Sequence, residues 1–318
     1  MERRIRISLA IGAAAAFAAA SGPALFAQGR SAPYTVVETG KTYGSLQQAV
    51  DAIGAGKGSI SIASGLHADC AVQVAGSISY LAAEPGKAVL DGVTCEGKAA
   101  LVLRGRAATI SGLVFQNLRV PDGNGAGIRL EQGSLTIAQS WFRDSQQGIL
   151  TGDAQNGRIV IDKSTFTRLG TCEGPGGCAH SIYIGDYGQL RVTRSRFEQG
   201  RGGHYVKSRA AQVQIASCSF DDTGGRATNY MIDLPAGATG QITNNWIVQG
   251  TNKENRSALI AIGAEDLRHT ADGLQISGND ARLAPGAQPT VFVADWTGHR
   301  ISIGQNKLGP GLTRYERR

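Results

Sequence analysis

The chain has 318 residues, of which 44 are glycine, 9 are proline and only 6% are aromatic. Its formal charge of +7 at pH 7 suits an anionic partner, although an ordinary solvated surface would carry a similar charge. Basic residues form no stripe with aromatic ones, which argues against nucleic-acid binding. A glycine-rich chain with many β-branched residues is typical of proteins built from short strands and tight turns.

Residues 1–27 have the pattern of a secretory signal peptide. Arg3, Arg4 and Arg6 give a basic start, an uncharged Ala-rich stretch follows, and residues 24–27 form a candidate cleavage site. An N-terminal membrane anchor is the alternative, because the apolar stretch is about long enough to span a bilayer. Glycine and proline interrupt that stretch, which favours cleavage. We therefore expect a periplasmic or secreted protein, not membrane-bound after cleavage, with one mature domain over residues 28–318.

The first regular element of the mature chain is predicted to be a short amphipathic helix. Apolar side chains recur at the spacing i, i+3, i+4 and i+7. They are Leu46, Ala49, Val50 and Ile53. Ser45 and Gln48 are placed as a capping box, and Gly54 ends the pattern. A strand pattern follows at once, so the helix would cover the first unpaired edge of a β-structure.

A short motif then repeats along the chain: a β-branched residue is followed five positions later by a large apolar one. The pairs are Ile110/Phe115, Ile137/Phe142, Ile161/Phe166, Val192/Phe197, Ile215/Phe220, Ile242/Ile247 and Ile303/Leu308, with a weaker Ile276/Ala281. Successive units begin about 23 to 34 residues apart, and loops of varying length lie between them. A constant spacing with elastic loops is what the coils of a solenoid require, since their strands must stack while their loops project freely.

A β-sandwich is the alternative fold, because it also uses many short strands. It predicts hairpin turns such as Asp91-Gly92 and Asn156-Gly157, and these do not recur at matching positions of the repeats. The repeats therefore predict an all-β fold, a single-stranded right-handed parallel β-helix with a short N-terminal capping helix.

The five cysteines fit an oxidising compartment. Cys172 and Cys178 bracket a short glycine-rich loop that can close as a disulfide. Cys70 and Cys95 are separated by about one repeat, so stacking of coils would bring them together. Cys218 is left over and is expected as a small buried side chain. A zinc site is the alternative, but the chain has no CxxC pair.

The candidate site centres on the segment from His204 to Arg209. If this segment is a strand with Val206 and Ser208 inward, then Tyr205, Lys207 and Arg209 line one outer face.

The segments one repeat before and after would add polar groups to the same face. Tyr183 follows His180 in the first segment, and Asp233 follows Asn229 in the second. Stacked strands are ~4.8 Å apart, so these groups are predicted to form one polar cluster.

The pattern from Ala49 through Leu308 resembles the pectate-lyase-like β-helix superfamily of secreted carbohydrate-active proteins. More narrowly, Gly203–Arg209, followed by Val213–Phe220 and then Asn244-Asn245-Trp246, resembles the alginate lyase and chondroitinase B family. In that family a Lys-Ser pair on a strand supplies the catalytic lysine, and Lys207 is the matching position.

Two positions depart from that family. It carries an acidic residue where His204 stands and an arginine on the next coil, where Asp233 is the best match. We therefore expect no metal or cofactor, with calcium left open. His180 and His204 are predicted neighbours, serving catalysis, lying as simple loop residues or sharing a metal, although no third ligand is obvious.

The resemblance implies cleavage of a uronate polymer by β-elimination. This reaction needs a cation for the carboxylate, a base for the adjacent proton and an acid for the leaving oxygen. We predict Arg209 as the cation and Lys207 as the base, with Tyr183, Tyr205 and His204 as candidate acids.

The other groups of the cluster are predicted to bind substrate or to position the catalytic residues. Tyr205, His180 and Asn229 are candidates to bind the sugar. Asp233 could orient Lys207 or act as an acid or base itself. The plainer alternative is that Lys207 and Arg209 only solvate an exposed sheet.

The leading prediction is a monomeric polysaccharide lyase whose partner is an anionic, uronate-containing polysaccharide. One alternative is a non-catalytic β-helix that binds exopolysaccharide during export. Another is a glycoside hydrolase that pairs Asp233 with Asp221, Asp222 or Glu198, since two carboxylates at a set separation can cleave a glycosidic bond. The Gly-His-Gly of polygalacturonases and the Asp-Pro-His-Asp of mannuronan epimerases are absent from the sequence.

Overall fold

The computed structural model describes residues 32–318, which form one compact unit. The predicted signal peptide, residues 1–27, lies outside the described residues. The helix α1 spans Leu46–Ile53. Between residues 32 and 318 no helix is long and apolar enough to cross a bilayer.

The strands are short and follow one another closely along the chain. The N-terminal half contains β1 (Tyr34–Val36), β2 (Lys41–Tyr43), β3 (Lys57–Ile62), β4 (Gly65–His67), β5 (Ala71–Gln73), β6 (Ser77–Ala82), β7 (Ala88–Asp91), β8 (Ala99–Leu103), β9 (Ala107–Ser111), β10 (Leu113–Gln116), β11 (Ala126–Leu130), β12 (Ser134–Ala138), β13 (Trp141–Arg143), β14 (Gln147–Thr151), β15 (Ala154–Asp162) and β16 (Thr165–Thr167). The C-terminal half contains β17 (Ile182–Ile184), β18 (Tyr187–Thr193), β19 (Arg196–Glu198), β20 (Val206–Ser208), β21 (Gln212–Ala216), β22 (Ser219–Asp221), β23 (Ile232–Leu234), β24 (Thr239–Thr243), β25 (Trp246–Gln249), β26 (Ala258–Ile262), β27 (Gln275–Ser277), β28 (Asp280–Leu283), β29 (Thr290–Asp295), β30 (Ser302–Ile303), β31 (Lys307–Leu308) and β32 (Leu312–Arg317).

Three sheets run along the molecule. From β3 onward, successive strands belong to sheet 1, sheet 2 and sheet 3 in turn. Sheet 1 has the order β2-β1-β3-β6-β9-β12-β15-β18-β21-β24-β27-β30. Sheet 2 runs from β4 to β31, and sheet 3 runs from β5 to β32, each with every third strand of the chain. All pairs are parallel except those of β1 with β2 and β3, which add an antiparallel hairpin at the N-terminal end. The architecture is a parallel β-helix, as the repeats predict.

The repeated pairs of apolar residues are the core of this β-helix. The first member of each pair stacks in sheet 1, as in Ile137 on Ile110, and the second stacks in sheet 2, as in Phe142 on Phe115. The five phenylalanines form a continuous column with ring centroids 4.7–4.9 Å apart and nearly parallel planes. The constant spacing of five residues is therefore the distance around the corner between the two sheets.

The helix α1 covers the first coil, as predicted. Leu46, Ala49 and Val50 are buried against it, and the Ser45 hydroxyl accepts a hydrogen bond from the Gln48 amide at 3.3 Å. Hydrophobic side chains at the end of a solenoid would otherwise face water, so this helix acts as the cap.

The predicted disulfides are both present. Cys70 pairs with Cys95 and Cys172 pairs with Cys178. Cys218 is free and buried, and burial raises the pKa of its thiol to about 11. Such a thiol is inert at neutral pH.

Candidate active-site cleft

The predicted polar row is present on the outer face of sheet 3. Tyr183 of β17 is the register partner of Lys207 of β20, and Lys207 is the partner of Asp233 of β23. The Lys207 ammonium lies 5.8 Å from the centre of the Tyr183 ring and 3.5 Å from Asp233 Oδ2. The stacking of three coils therefore gathers the groups that sequence analysis placed together; their chemical roles stay predictions.

Lys207 and Arg209 hold one carboxylate between them. Glu265 Oε1 lies 2.5 Å from Lys207 Nζ, and Glu265 Oε2 accepts a hydrogen bond from Arg209 Nη2. Arg209 Nη1 also donates to the Tyr183 hydroxyl oxygen. Burial acts to raise the pKa of Glu265, but the hydrogen bond and charge of Lys207, together with Arg209, lower it overall. We call this pair of cations, Lys207 and Arg209, the carboxylate fork.

Glu265 comes from a surface segment, residues 263–269, which we call the strap. It follows β26, two coils after Lys207, and turns back across the outer face. The backbone amide of Glu265 donates to Pro235 O at 3.2 Å, and that of His269 donates to Ala236 O at 2.9 Å. The His269 ring lies 2.9 Å from Asp186. The strap backbone is thus held by the segment that follows β23, and its His269 ring is held by Asp186, which follows β17.

Two histidines lie beside the fork. Nδ1 of His180 accepts the backbone N–H of His204 at 3.0 Å, and the two Nδ1 atoms are 3.2 Å apart. This close approach depends on Gly203, whose φ is +58° and where a Cβ would lie 2.4 Å from His180 Nδ1. Burial lowers the pKa of His180 to about 3 and that of His204 well below 6.5, with Lys207 adding to both shifts. Both rings are therefore neutral at pH 7.

The neighbours of each ring indicate which of its nitrogens carries the proton. Because His180 Nδ1 accepts a backbone hydrogen bond, its lone pair faces His204, so we infer that His204 carries its proton on Nδ1. His204 Nε2 is then an acceptor, and it lies 3.3 Å from Asp233 Oδ2. This network is satisfied when Asp233 is protonated.

Asp233 has the surroundings that favour its acid form. Only 2% of the residue is exposed, and Oδ1 has no hydrogen-bond partner among the described residues. Burial raises the pKa of Asp233 to about 7, against the lowering effect of Lys207. A carboxyl group of this kind can take up or release a proton near neutral pH.

A cleft of about 540 Å³ opens above these groups. Its lining residues come from several coils and from the loop closed by the Cys172–Cys178 disulfide. They are Asn124, Leu150, Gly176, Cys178, His180, Tyr183, His204, Lys207, Asn229, Glu254 and Glu265. Asn229 lies at the cleft wall and donates from Nδ2 to Glu254 at 2.9 Å. Asp233 is almost completely buried and does not line the cleft.

Tyr205 does not lie on the outer face, contrary to the expectation from strand alternation. It is 1% exposed, and its hydroxyl donates to Asp222 at 2.8 Å. The strand β20 begins only at Val206, so Tyr205 lies at the corner before it, where alternation does not apply. Its ring turns inward against Phe197, at a centroid distance of 6.5 Å. Tyr205 is therefore a core residue and no candidate acid or sugar ligand.

The carboxylate pairs expected of a hydrolase are not assembled. Glu198 and Asp221 are register partners in sheet 2, whereas Asp233 is in sheet 3. Asp222 is fully buried and lies 3.1 Å from the Lys253 ammonium. The carboxylate that does share a partner with Asp233 is Glu265, through Lys207.

Glu265, Glu254 and Lys253 are not predicted as site residues from the sequence. They lie outside the strands that face Lys207, in loops whose length varies from coil to coil. A charged residue in such a loop gives no periodic signal. Their contacts join different coils and therefore depend on the tertiary structure.

The expectation of no metal or cofactor, with calcium left open, stays a prediction. Calcium takes six to eight oxygen ligands, and here Asp233 and Glu265 are both engaged with the Lys207 ammonium. Over residues 32–318, the one cluster with metal-binding spacing is Cys172, Cys178 and Glu254. The two cysteines are joined as a disulfide, so their sulfurs are not thiolate ligands.

Comparison with known proteins identifies the fold. No curated protein matches the chain. Among solved structures, ORF18 of Geobacillus virus E2 is similar with a TM-score of 0.39 and 12% identity, over 85% of this chain and 56% of that one. The chain thus spans a little over half the length of that protein. The narrower resemblance to alginate lyases and chondroitinase B stays a prediction. Residues 99–281 match the family model of the right-handed β-helix region, and the chain therefore belongs to the right-handed β-helix family.

Proposed function

We propose that the protein is a polysaccharide lyase that cleaves an anionic, uronate-containing polysaccharide by β-elimination in the cleft over sheet 3. The observation that carries this proposal is the carboxylate fork. Lys207 and Arg209 each engage one oxygen of a single carboxylate, that of Glu265, through charge-assisted hydrogen bonds. A uronate sugar presents the same group to the same two cations.

The fork also supports the assignment of the base. The proton removed in β-elimination is on the carbon that bears the carboxylate. An amine 2.5 Å from a carboxylate held by Arg209 is therefore within reach of that proton. When a substrate carboxylate settles on Arg209 and Glu265 leaves the fork, the Lys207 ammonium releases a proton to water, and the resulting neutral amine is the base of the proposed reaction. Asp233, 3.5 Å away, orients the amine from below.

Tyr183 is the proposed acid. Its hydroxyl is free to donate its proton to the leaving oxygen, because in its contact with Arg209 it acts as the acceptor. The same guanidinium stabilises the negative charge that the oxygen then carries. The proton on the sugar carbon passes to Lys207, the carbon–oxygen bond breaks, and the new double bond is conjugated with the carboxylate. His180, neutral at pH 7, lines the wall and offers its Nε2–H to the sugar, whereas both ring nitrogens of His204 are engaged with His180 and Asp233.

A carboxylate-dependent hydrolase receives less support from this geometry. Such an enzyme needs two carboxyl groups on either side of the scissile bond. Asp233 lies beneath the cleft, and Glu265 is bound to both cations. A lysine, an arginine and a tyrosine at the cleft floor fit elimination better than hydrolysis.

The test is the ultraviolet absorbance of the conjugated product, measured over polygalacturonate, polymannuronate, polyguluronate, hyaluronan and chondroitin. We expect one of these polymers to be cleaved. Lys207→Ala should lower the rate by about 10²- to 10⁴-fold, as for loss of a general base. Arg209→Ala should lower it by a comparable factor because the substrate carboxylate loses one of its two cations.

Matched controls remove the same side chains away from the cleft. Lys307 pairs with Asp280 at 3.3 Å, and Arg194 pairs with Asp162 at 2.7 Å, both near the surface. Lys307→Ala and Arg194→Ala should keep the rate of the parent protein. Binding of a polymer without any rise in absorbance would instead identify a non-catalytic binding protein, and a Lys207→Ala variant of undiminished rate would remove the proposed base.

A further inference from the structure

Glu265 occupies the position that the proposed reaction assigns to the substrate. Each of its carboxylate oxygens contacts one cation of the fork: Oε1 contacts Lys207 and Oε2 contacts Arg209. A substrate carboxylate cannot bind there in the same way while Glu265 remains. The fork is thus filled by the protein itself.

The fork needs an anion whether or not substrate is present. The Lys207 and Arg209 side chains are only 11% and 17% exposed. Leaving two neighbouring cations without a counter-charge at this depth costs free energy, because water cannot solvate them fully. Exchange of one carboxylate for another keeps both cations paired. Replacement of Glu265 by a neutral sugar would not.

Glu265 itself is free to leave. Its side chain is 42% exposed, and the backbone of the strap is held separately by Pro235 O and Ala236 O. The carboxylate can therefore turn out into water by rotation about side-chain bonds, without any change in the strap backbone. Out of the fork it is solvated like any surface glutamate.

We propose that Glu265 is an internal competitor that sets the specificity of the carboxylate fork: a ligand enters only by exchanging its own carboxylate for that of Glu265. This inference rests on the proposed function for the identity of the site. It adds that Glu265 competes with the ligand for that site. Carboxylate-bearing sugars are admitted, and neutral or esterified sugars are rejected. The apparent affinity is lower than the intrinsic affinity by the fraction of molecules in which Glu265 is out of the fork.

The experiment measures binding, so it does not depend on turnover. The probes are galacturonate, glucuronate, mannuronate and guluronate, each compared with its methyl ester, titrated by ligand-observed NMR. The proteins are the parent, Glu265→Gln and Asp266→Asn. Asp266 is the adjacent carboxylate of the strap, 73% exposed and paired with Arg268, so its variant removes the same charge from the same segment without touching the fork.

We expect Glu265→Gln to bind at least one uronate about tenfold more tightly than the parent, which corresponds to an open fraction of about a tenth in the parent. Asp266→Asn should bind like the parent, and the methyl esters should gain nothing. The inference is overturned if Glu265→Gln binds no uronate, binds it no more tightly than the parent, or gains equally for the ester.

The outcomes separate this inference from the lyase proposal. Tighter uronate binding by Glu265→Gln in a protein that cleaves no polymer would keep the competitor and discard the lyase. Cleavage that needs Lys207, with unchanged binding in Glu265→Gln, would keep the lyase and discard the competitor.

Discussion

Two lysines lie two coils apart, each beside a buried aspartate, and their surroundings differ. Lys253 and Asp222 are both almost completely buried, and their charged atoms are 3.1 Å apart. Lys207 also has a buried aspartate, Asp233, at 3.5 Å, but it shares its charge with the exposed Glu265. The comparison shows that a lysine–aspartate pair can be completely buried at one place, whereas at another its lysine also reaches an exposed carboxylate.

The Asp222 pair is saturated with partners. Oδ1 accepts from Tyr205 and from Thr228, both at 2.8 Å, and Oδ2 accepts from the Gly250 amide and from Lys253. These donors come from three consecutive coils. Burial lowers the pKa of Lys253, while Asp222 acts to raise it. A fully satisfied buried network of this kind fixes the arrangement of its elements.

The Asp233 pair is left incomplete. One of its oxygens has no partner within the described residues, and its pKa is raised to about 7. Lys207 lines the cleft, whereas Lys253 is buried. Unsatisfied and perturbed groups are costly for stability and are concentrated at functional sites. The difference between the two pairs supports the proposal that the Lys207 region is the functional site.

The same substitution at the two lysines should give losses of stability of very different size. Lys253→Met leaves the Asp222 carboxylate buried without its cation, so we expect a loss of about 3–5 kcal/mol in the free energy of unfolding. Lys207→Met should cost about 1 kcal/mol or less, because Asp233 can take up a proton instead of remaining charged. Chemical denaturation followed by circular dichroism measures both. Equal losses for the two variants would erase the distinction between the pairs.

Two tyrosines extend the comparison. Tyr205→Phe removes a hydrogen bond to the buried Asp222 and should destabilise the protein by about 2 kcal/mol, with the rate of cleavage unchanged. Tyr183→Phe removes the proposed acid and should lower the rate by about 10²-fold or more, with little change in unfolding. The rate of cleavage and the free energy of unfolding are measured for both variants, and each variant should lose only one of the two. A rate loss in Tyr205→Phe of the same size as that in Tyr183→Phe would contradict the assignment of the acid.

The pH dependence of stability sharpens the contrast further. A carboxyl group whose pKa rises from 3.8 to about 7 on folding binds its proton more tightly in the folded state. Its contribution to stability is fully present below about pH 4 and is lost as the pH rises through about 7. Asp233→Asn should therefore gain stability relative to the parent over this window. The shift to about 7 already includes both the cost of burying Asp233 and its attraction to Lys207.

The histidines act in the opposite direction and must be allowed for. Their lowered pKa values mean that stability is present above about pH 6.5 and is lost as the pH falls. The difference between Asp233→Asn and the parent, measured at each pH from 4 to 8, cancels most of this common trend. A difference that stays constant across the window would show that Asp233 does not titrate there.

Much of the site could be predicted because its residues lie in the repeat. Tyr183, Lys207 and Asp233 occupy equivalent positions of three consecutive coils, so the spacing of the strands alone brings them together. Tyr205 was misplaced because alternation was extended one residue beyond the start of β20. Glu265 was missed because it is 58 residues from Lys207 along the chain and lies in a loop.

The sequence by itself determined the β-helix, its capping helix, its two disulfides and the row of polar groups on sheet 3. Each of these follows from a spacing that every coil must keep if apolar side chains are to stack. Only the tertiary structure decided which carboxylate fills the fork, which tyrosine faces the cleft and which lysine is buried. Loops and corners are free of the stacking constraint, so their side chains take positions set by contacts between coils that no local pattern encodes.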